Sequence, residues 1–237
     1  MQMETNFAYI DENYKRIVDA MEEAKAKYRK PSDDITLMAV TKTVAPEAVN
    51  HAISCGIHTL GENRVQEYLS KKDFYSKDAK VHFIGHLQTN KVKYILDKVE
   101  VIHSLDRIFL AQQIDKLVEK AQMAPKKVLV EVNIGNESTK SGVSPDKLSE
   151  YLDSLQNFRY IKPIGLMTVA PAWASETELE KYFAHMRLLL EAGKERFGEE
   201  FSQLSMGMSH DYEAAVRQGA TMIRIGTALF GARNYDI

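Results

Sequence analysis

The sequence predicts a single (β/α)8 barrel, a TIM barrel, preceded by one extra helix. Three observations carry that reading. The run Thr36-Leu-Met-Ala-Val-Thr ends abruptly in Lys42, and a polar turn, Pro46 and a helical pattern follow it. Its apolar character buries a strand on both faces, as a parallel sheet requires. Strand-like runs then alternate with helical stretches over about 200 residues, the ordinary span of this fold. Stretches containing proline or glycine are of single-loop length, so one domain is expected over 1–237.

In chain order, residues 4–30 form the extra helix. Ile10, Tyr14, Ile17, Met21, Ala24 and Tyr28 recur at spacings of four and three and draw one apolar stripe. Pro31 stops the helix. A helix over 46–55 follows the first strand, with Pro46 in its first turn and Gly56 at its end. Residues 57–60 form the second strand, and a helix over about 63–78 follows. The third and fourth strands fall at 81–85 and 101–104, with a helix over 90–98 between them. Asp106 is placed to cap the next helix. Residues 127–134 are the clearest strand, and Ser144-Pro145 starts the helix after it. Pro163 gives the sixth strand, 160–168, an early or irregular position. A long helix over 176–197, a short strand over 201–204, a helix over 209–217 and a strand over 221–225 complete the barrel.

Composition narrows the function classes. Hydrophobic residues make up 44% and charged residues 27%, ordinary for a globular chain. A net charge of −2 offers no basic surplus for nucleic acid or an anionic membrane. No run approaches the ~20 apolar residues of a membrane span, and no secretory leader pattern opens the chain. Cys55 is the single cysteine, which excludes an internal disulfide and suits a cytoplasmic protein.

The chemistry gathers at the C-terminal ends of the strands, where barrels place their sites. A partly desolvated Lys42 there is a nucleophilic amine suited to a Schiff base with an aldehyde; a solvated surface lysine is the plain alternative. Ser205, Gly207 and Ser209 follow strand seven, and Gly226 and Thr227 follow strand eight. Loops after these strands commonly bind phosphate through backbone N–H groups, hydroxyls and glycine's close approach. Ser209 could equally cap a helix. Arg224 puts a charge in an otherwise apolar strand, which calls for a carboxylate partner or a ligand atom. Asn63 stands at the rim of strand two, either as a ligand donor or as a helix cap. His86, Gln88, Asn90 and Lys140 are placed to line the mouth or to face solvent, and Trp173 to pack over it. His82 and His86 straddle a strand end and do not form a helical metal pair, so no metal is expected. Cys55 reads as core.

Several motifs in order resemble the pyridoxal-phosphate-binding homeostasis proteins, which are similar to the N-terminal barrel of alanine racemase. They are Lys42, Gly61-Glu-Asn-Arg-Val-Gln-Glu67, Ile84-Gly-His-Leu-Gln-Thr-Asn-Lys91, Ser138-Thr-Lys-Ser-Gly142, Gly165-Leu-Met-Thr168, Leu204-Ser-Met-Gly-Met-Ser-His-Asp211 and Met222-Ile-Arg-Ile-Gly-Thr-Ala-Leu-Phe-Gly231. The resemblance implies an alanine racemase N-terminal-like barrel of pyridoxal-phosphate fold type III. It implies pyridoxal 5'-phosphate as cofactor, held as a Schiff base on Lys42, with Asn63, Ser205, Gly207, Ser209, Gly226 and Thr227 around it. Arg224 would face the pyridine nitrogen. The implied role is intracellular cofactor homeostasis without robust catalysis, with delivery to pyridoxal-phosphate-dependent apoenzymes. The expected assembly is a monomer, with a weak dimer as the alternative. The competing function is a pyridoxal-phosphate-dependent amino-acid racemase. The racemase's second acid/base group comes from a C-terminal domain for which this sequence has no counterpart, so catalysis is expected to be weak.

Overall fold

The computed structural model describes residues 6–232. Eight parallel strands close into a barrel in sequence order. They are β1 (Thr36–Val40), β2 (Thr59–Glu62), β3 (Lys80–Phe83) and β4 (Val101–Leu105). The circuit continues through β5 (Lys126–Val132), β6 (Ile161–Thr168), β7 (Gln203–Ser205) and β8 (Met222–Ile225), which pairs back onto β1. Outside the strands lie α2 (Pro46–Ser54), α3 (Val65–Lys71), α4 (Val92–Ile95) and α5 (Ile108–Lys120). The layer continues with α6 (Pro145–Leu155), α7 (Glu176–Phe197) and α8 (Tyr212–Arg217), and a short α9 (Thr227–Phe230) follows β8.

The extra helix is α1, Ala8–Tyr28, shorter than the expected 4–30. Residues 4 and 5 lie outside the described residues. At the start, the Asn6 side chain accepts from the Ala8 amide at 2.9 Å, so Asn6 and Phe7 precede the helix. At the end, Arg29 turns extended and its guanidinium binds Asp33 at 2.8 Å and the Ala220 carbonyl at 2.9 Å. Those bonds pin the chain to the α8–β8 corner and stop the helix two residues early.

Strand alternation divides the side chains into two sets. Val128, Val130 and Val132 of β5 pack in the large core shared with the helices. Leu129 lies between them and belongs to a separate small cluster with Val101 and Met167 inside the bore. By the same alternation Ile223 and Ile225 pack outward, which turns Arg224 into the bore. Val81 and Phe83 turn His82 inward, and Ile102 turns His103 inward. The irregularity at Pro163 is a bulge: Val128 opposes Pro163 while Leu129 opposes Gly165, leaving Ile164 extra. Gly165 makes the bulge feasible, because at φ 152° a Cβ there would sit 1.8 Å from the Gln203 carbonyl oxygen.

His82 and His103 meet near the N-terminal end of the bore, Nδ1 to Nε2 at 3.0 Å. Burial pulls the His82 imidazole down to about 4, and the nearby Lys127 and Lys80 add to it. Burial also holds His103 well below its ordinary value, with His82 and Arg224 contributing. Both rings are therefore neutral in the fold, while the unfolded chain takes up protons near pH 6.5. Stability from this pair is full above that pH and falls as pH drops from about 6.5 toward about 4, by up to roughly 3 kcal/mol for His82. Urea unfolding at about pH 7.5 and about pH 5 checks this. A midpoint that the variant His82→Phe leaves equally pH-sensitive would assign the loss to other groups.

Candidate ligand site at the C-terminal rim

The loop after β1 is held in place from the side of β2 and α3. Thr41 donates its amide to the Gly61 carbonyl at 3.0 Å, so the ladder continues past Val40. Ala39 packs in the helix-facing core, so alternation points Thr41 toward the helices and Lys42 toward the bore. Thr41 is fully buried and its hydroxyl donates to Glu62 Oε1 at 2.8 Å. The Tyr75 hydroxyl donates to the same oxygen at 2.6 Å, while Glu62 Oε2 has no partner among the described residues. Burial raises the Glu62 carboxyl above its ordinary range, with the Tyr75 and Thr41 hydrogen bonds opposing. Thr43 takes a positive φ of 60° and donates its amide to Glu67. Lys71 pairs with Glu67 and also reaches the Thr41 carbonyl at 3.4 Å. Lys42 thus sits between two clamped neighbours. Half-buried itself, it makes no hydrogen bond or ion pair among the described residues.

The loops after β7 and β8 come together on the other flank of β1. The β7–β8 ladder is short, with Ser205 opposite Met222 as its one register pair among the described residues. It runs on as Met206 N–H to Met222 O at 3.1 Å and Arg224 N–H to Gly207 O at 2.9 Å. Gly207 carries φ 89°, and a Cβ there would stand 2.6 Å from that of Ala215. Asp211 holds the loop by accepting the Met208 amide at 2.5 Å. The Ser209 hydroxyl lies 3.2 Å from the Ala228 amide and 3.4 Å from the Gly226 amide. Its expected alternative as a helix cap is corrected: α8 starts at Tyr212, and the Ser209 hydroxyl instead accepts from the Gly226 and Ala228 amides at the start of α9. Thr227 is exposed beside them.

Arg224 crosses the bore beneath this rim. It is 3% exposed, and its guanidinium donates to Ser205 Oγ at 2.8 Å and to the Thr168 carbonyl at 2.7 Å. Burial pulls it down to about 10, opposed by Asp211 and Glu131, so it stays charged at neutral pH. Burial pushes Glu131 up to about 7, Asp106 adding and Arg224 opposing. Ser205 needs a corrected reading as well. It is fully buried and braces Arg224, so it is not an open phosphate donor.

On the β2 side, the register Val40 opposite Gly61 puts Lys42 and Asn63 level, each two residues past the pair. Asn63 does not cap α3: the residue before that helix is Arg64, and no side chain caps it. Its Oδ1 is buried without a partner among the described residues. A cleft of about 850 Å³ opens there, lined by Thr43, Asn63, Glu67, Phe83, His86 and Gln88 among others. His86 stands at its mouth, Nδ1 at 3.3 Å from Ser141 Oγ. Lys140 is tied down by Glu137 at 2.5 Å and the Ala170 carbonyl at 3.3 Å. Trp173 is exposed and donates to Glu137 at 3.3 Å, so it does not seal the mouth. Asp106 does not cap α5; it pairs with Arg107 at 2.5 Å, and Arg107 reaches the Leu87 carbonyl at 2.6 Å. Sequence reasoning missed Glu62, Glu67, Lys71 and Tyr75. The available signal was a glutamate at the buried end of a strand, Glu62, with Glu67 and Lys71 a helical turn apart.

The family model described as "Alanine racemase, N-terminal domain" matches residues 9–234. The pyridoxal phosphate homeostasis protein of Aquifex aeolicus (strain VF5) is 41% identical over 225 residues, covering 94% of this chain and 98% of that one. The structure of PipY from Synechococcus elongatus PCC7942 with PLP bound has a TM-score of 0.77 at 30% identity, covering 91% of this chain and all of that one. Alanine racemase from Corynebacterium glutamicum shares the fold, with a TM-score of 0.72 at 14% identity, 97% of this chain and 62% of that chain being covered.

The clamp on the β1 loop is open to measurement. Glu67→Ala removes the acceptor of the Thr43 amide and the partner of Lys71. Hydrogen exchange at Thr43 should accelerate by about tenfold, the equivalent of one hydrogen bond of roughly 1–1.5 kcal/mol, while amides in β5 are unchanged.

Proposed function

The chain belongs to the alanine racemase N-terminal-domain family and, within it, to the pyridoxal phosphate homeostasis proteins. On that footing we propose that it holds pyridoxal 5'-phosphate across the ends of β8, β1 and β2 and serves intracellular homeostasis of that cofactor. One observation carries the reading: β1 delivers an amine between a cluster of phosphate-type donors on β8's flank and a buried polar atom on β2's, and neither the amine nor that atom has a partner among the described residues. The cofactor supplies an aldehyde, a phosphate dianion and a pyridine ring.

Each part has a protein group suited to it. Lys42 would hold the cofactor, its amine being the nucleophile suited to an aldehyde. The Gly226 and Ala228 amides and the Ser209 and Thr227 hydroxyls are donors for the phosphate, and Gly207 keeps their loop close to the barrel. Asn63 is suited to the ring hydroxyl, its amide NH2 being the donor expected there, and its Oδ1 has no partner among the described residues. Arg224 is the group assigned to the ring nitrogen. Its terminal nitrogens are fixed by Ser205 and Thr168, so its plane and charge are set before any ligand arrives. An arginine donates a hydrogen bond without handing over its proton, which leaves the ring a weaker electron sink. This favours holding the cofactor over turning substrate over, in line with relatives of equal length that are named homeostasis proteins. Release to pyridoxal-phosphate-dependent apoenzymes in the cytoplasm is the use we assign to it.

Borohydride treatment of the loaded protein followed by peptide mass analysis should place the label on Lys42. Lys42→Ala should abolish it while retaining some non-covalent cofactor; a label surviving in that variant would move the attachment to another lysine, Lys140 first. Thr227→Val should weaken cofactor binding in an equilibrium titration by roughly 1–3 kcal/mol with little change in unfolding midpoint. A chiral amino-acid assay should show no sustained turnover.

A further inference from the structure

In the outer helical layer, α1 and α2 bring three metal-ligand side chains to one point. His51 and Cys55 stand four residues apart, in the last turn of α2 and just past its end, and so share a face. Asp11, from the first turn of α1, completes the group. Its Oδ1 lies 3.0 Å from His51 Nε2 and 3.1 Å from Cys55 Sγ, and all three ligand atoms fall within 4.8 Å of one another. Cys55 is thus not the core residue its sequence context suggested: its thiol is directed at a carboxylate on a second helix. The Phe7 ring packs on the imidazole, centroids 5.2 Å apart, and fixes its orientation. Asp11 is 55% exposed and His51 29%, so an ion has access from solvent.

We propose that Asp11, His51 and Cys55 form a binding site for zinc, with water in the fourth position. Thiolate, imidazole and carboxylate are the donors zinc takes, at roughly 2.0–2.3 Å each. A tetrahedron with such bonds has ligand–ligand edges of roughly 3.2–3.8 Å, so the two edges at Asp11, now 3.0 and 3.1 Å, lengthen by some tenths of an ångström, and the third lies within 4.8 Å. Without metal, the thiol proton and the imidazole bridge to the carboxylate and keep the three atoms together. Zinc replaces that proton, which leaves to solvent, and forms a sulfur–metal bond in place of the S–H bond. The bound ion ties the start of α1 to α2, a covalent-strength link between helices distant in sequence.

Cobalt titration of the chelator-treated full-length protein tests this. A thiolate-to-cobalt charge-transfer band has one source, because Cys55 is the chain's single cysteine. The expected result is one equivalent bound with that band, displaced by zinc, and a thermal midpoint that zinc raises. Cys55→Ser should lose the band. Asp11→Asn and His51→Ala should each weaken zinc binding by at least about tenfold and lose the thermal shift. No charge-transfer band, or zinc binding unaltered in all three variants, would overturn the site. Borohydride labelling of Lys42 is read in parallel and should be the same in every variant, which separates this site from the cofactor reading.

Discussion

The two-residue alternation of a closed parallel barrel is the constraint from which the arrangement follows. Closure removes the sheet edge, so every strand has an inner and an outer face, and both are buried. A polar side chain on the inner face cannot reach bulk water and must find partners among other strands. Arg224 does so by crossing from β8 to Ser205 of β7 and Thr168 of β6. The same parity that turns Arg224 inward turns Lys42 toward the bore and Thr41 and Glu62 toward the helices. One geometric rule therefore separates the groups able to touch a ligand from the groups that hold the loop behind them.

Charge is graded along the bore. Its upper part holds a guanidinium with Glu131 and Asp211 within electrostatic reach. Its lower part holds two imidazoles kept neutral by burial. A cation and two neutral rings in so narrow a space avoid the repulsion that a charged histidine pair would impose on Arg224. The fold tolerates a permanent positive charge at one depth because the next polar layer declines to carry one.

Much of this was legible in the sequence. Apolar runs located every strand to within two or three residues, and Pro46 and Pro145 marked helix starts because a missing N–H costs nothing there. Pro163 foretold the bulge for the same reason. The misses share one cause, side chains that bond across elements. The helix after β2 was expected to reach residue 78 but is α3, a single 3-10 turn over 72–74, and then a bend and a turn into β3. There the Tyr75 hydroxyl reaches back to Glu62, and the Asn50 side chain accepts the Ser76 amide at 2.8 Å. Ser209 looked like a cap because it precedes a helix in sequence, yet its spatial neighbour is the helix after the next strand. Periodicity reports burial, and it is silent about such long-range pairings.

The short helix α9 carries a consequence for how the rim is assembled. Four residues cannot sustain a helix alone. Their terminal carbonyls are taken by α1: the Asn13 amide donates to Leu229 O at 3.0 Å, and Arg16 to Ala228 O at 3.4 Å. The donors around Ser209 are thus aligned by a segment 216 residues earlier in the sequence. During synthesis α1 leaves the ribosome long before α9, so the rim acquires its geometry only once both segments have emerged and met.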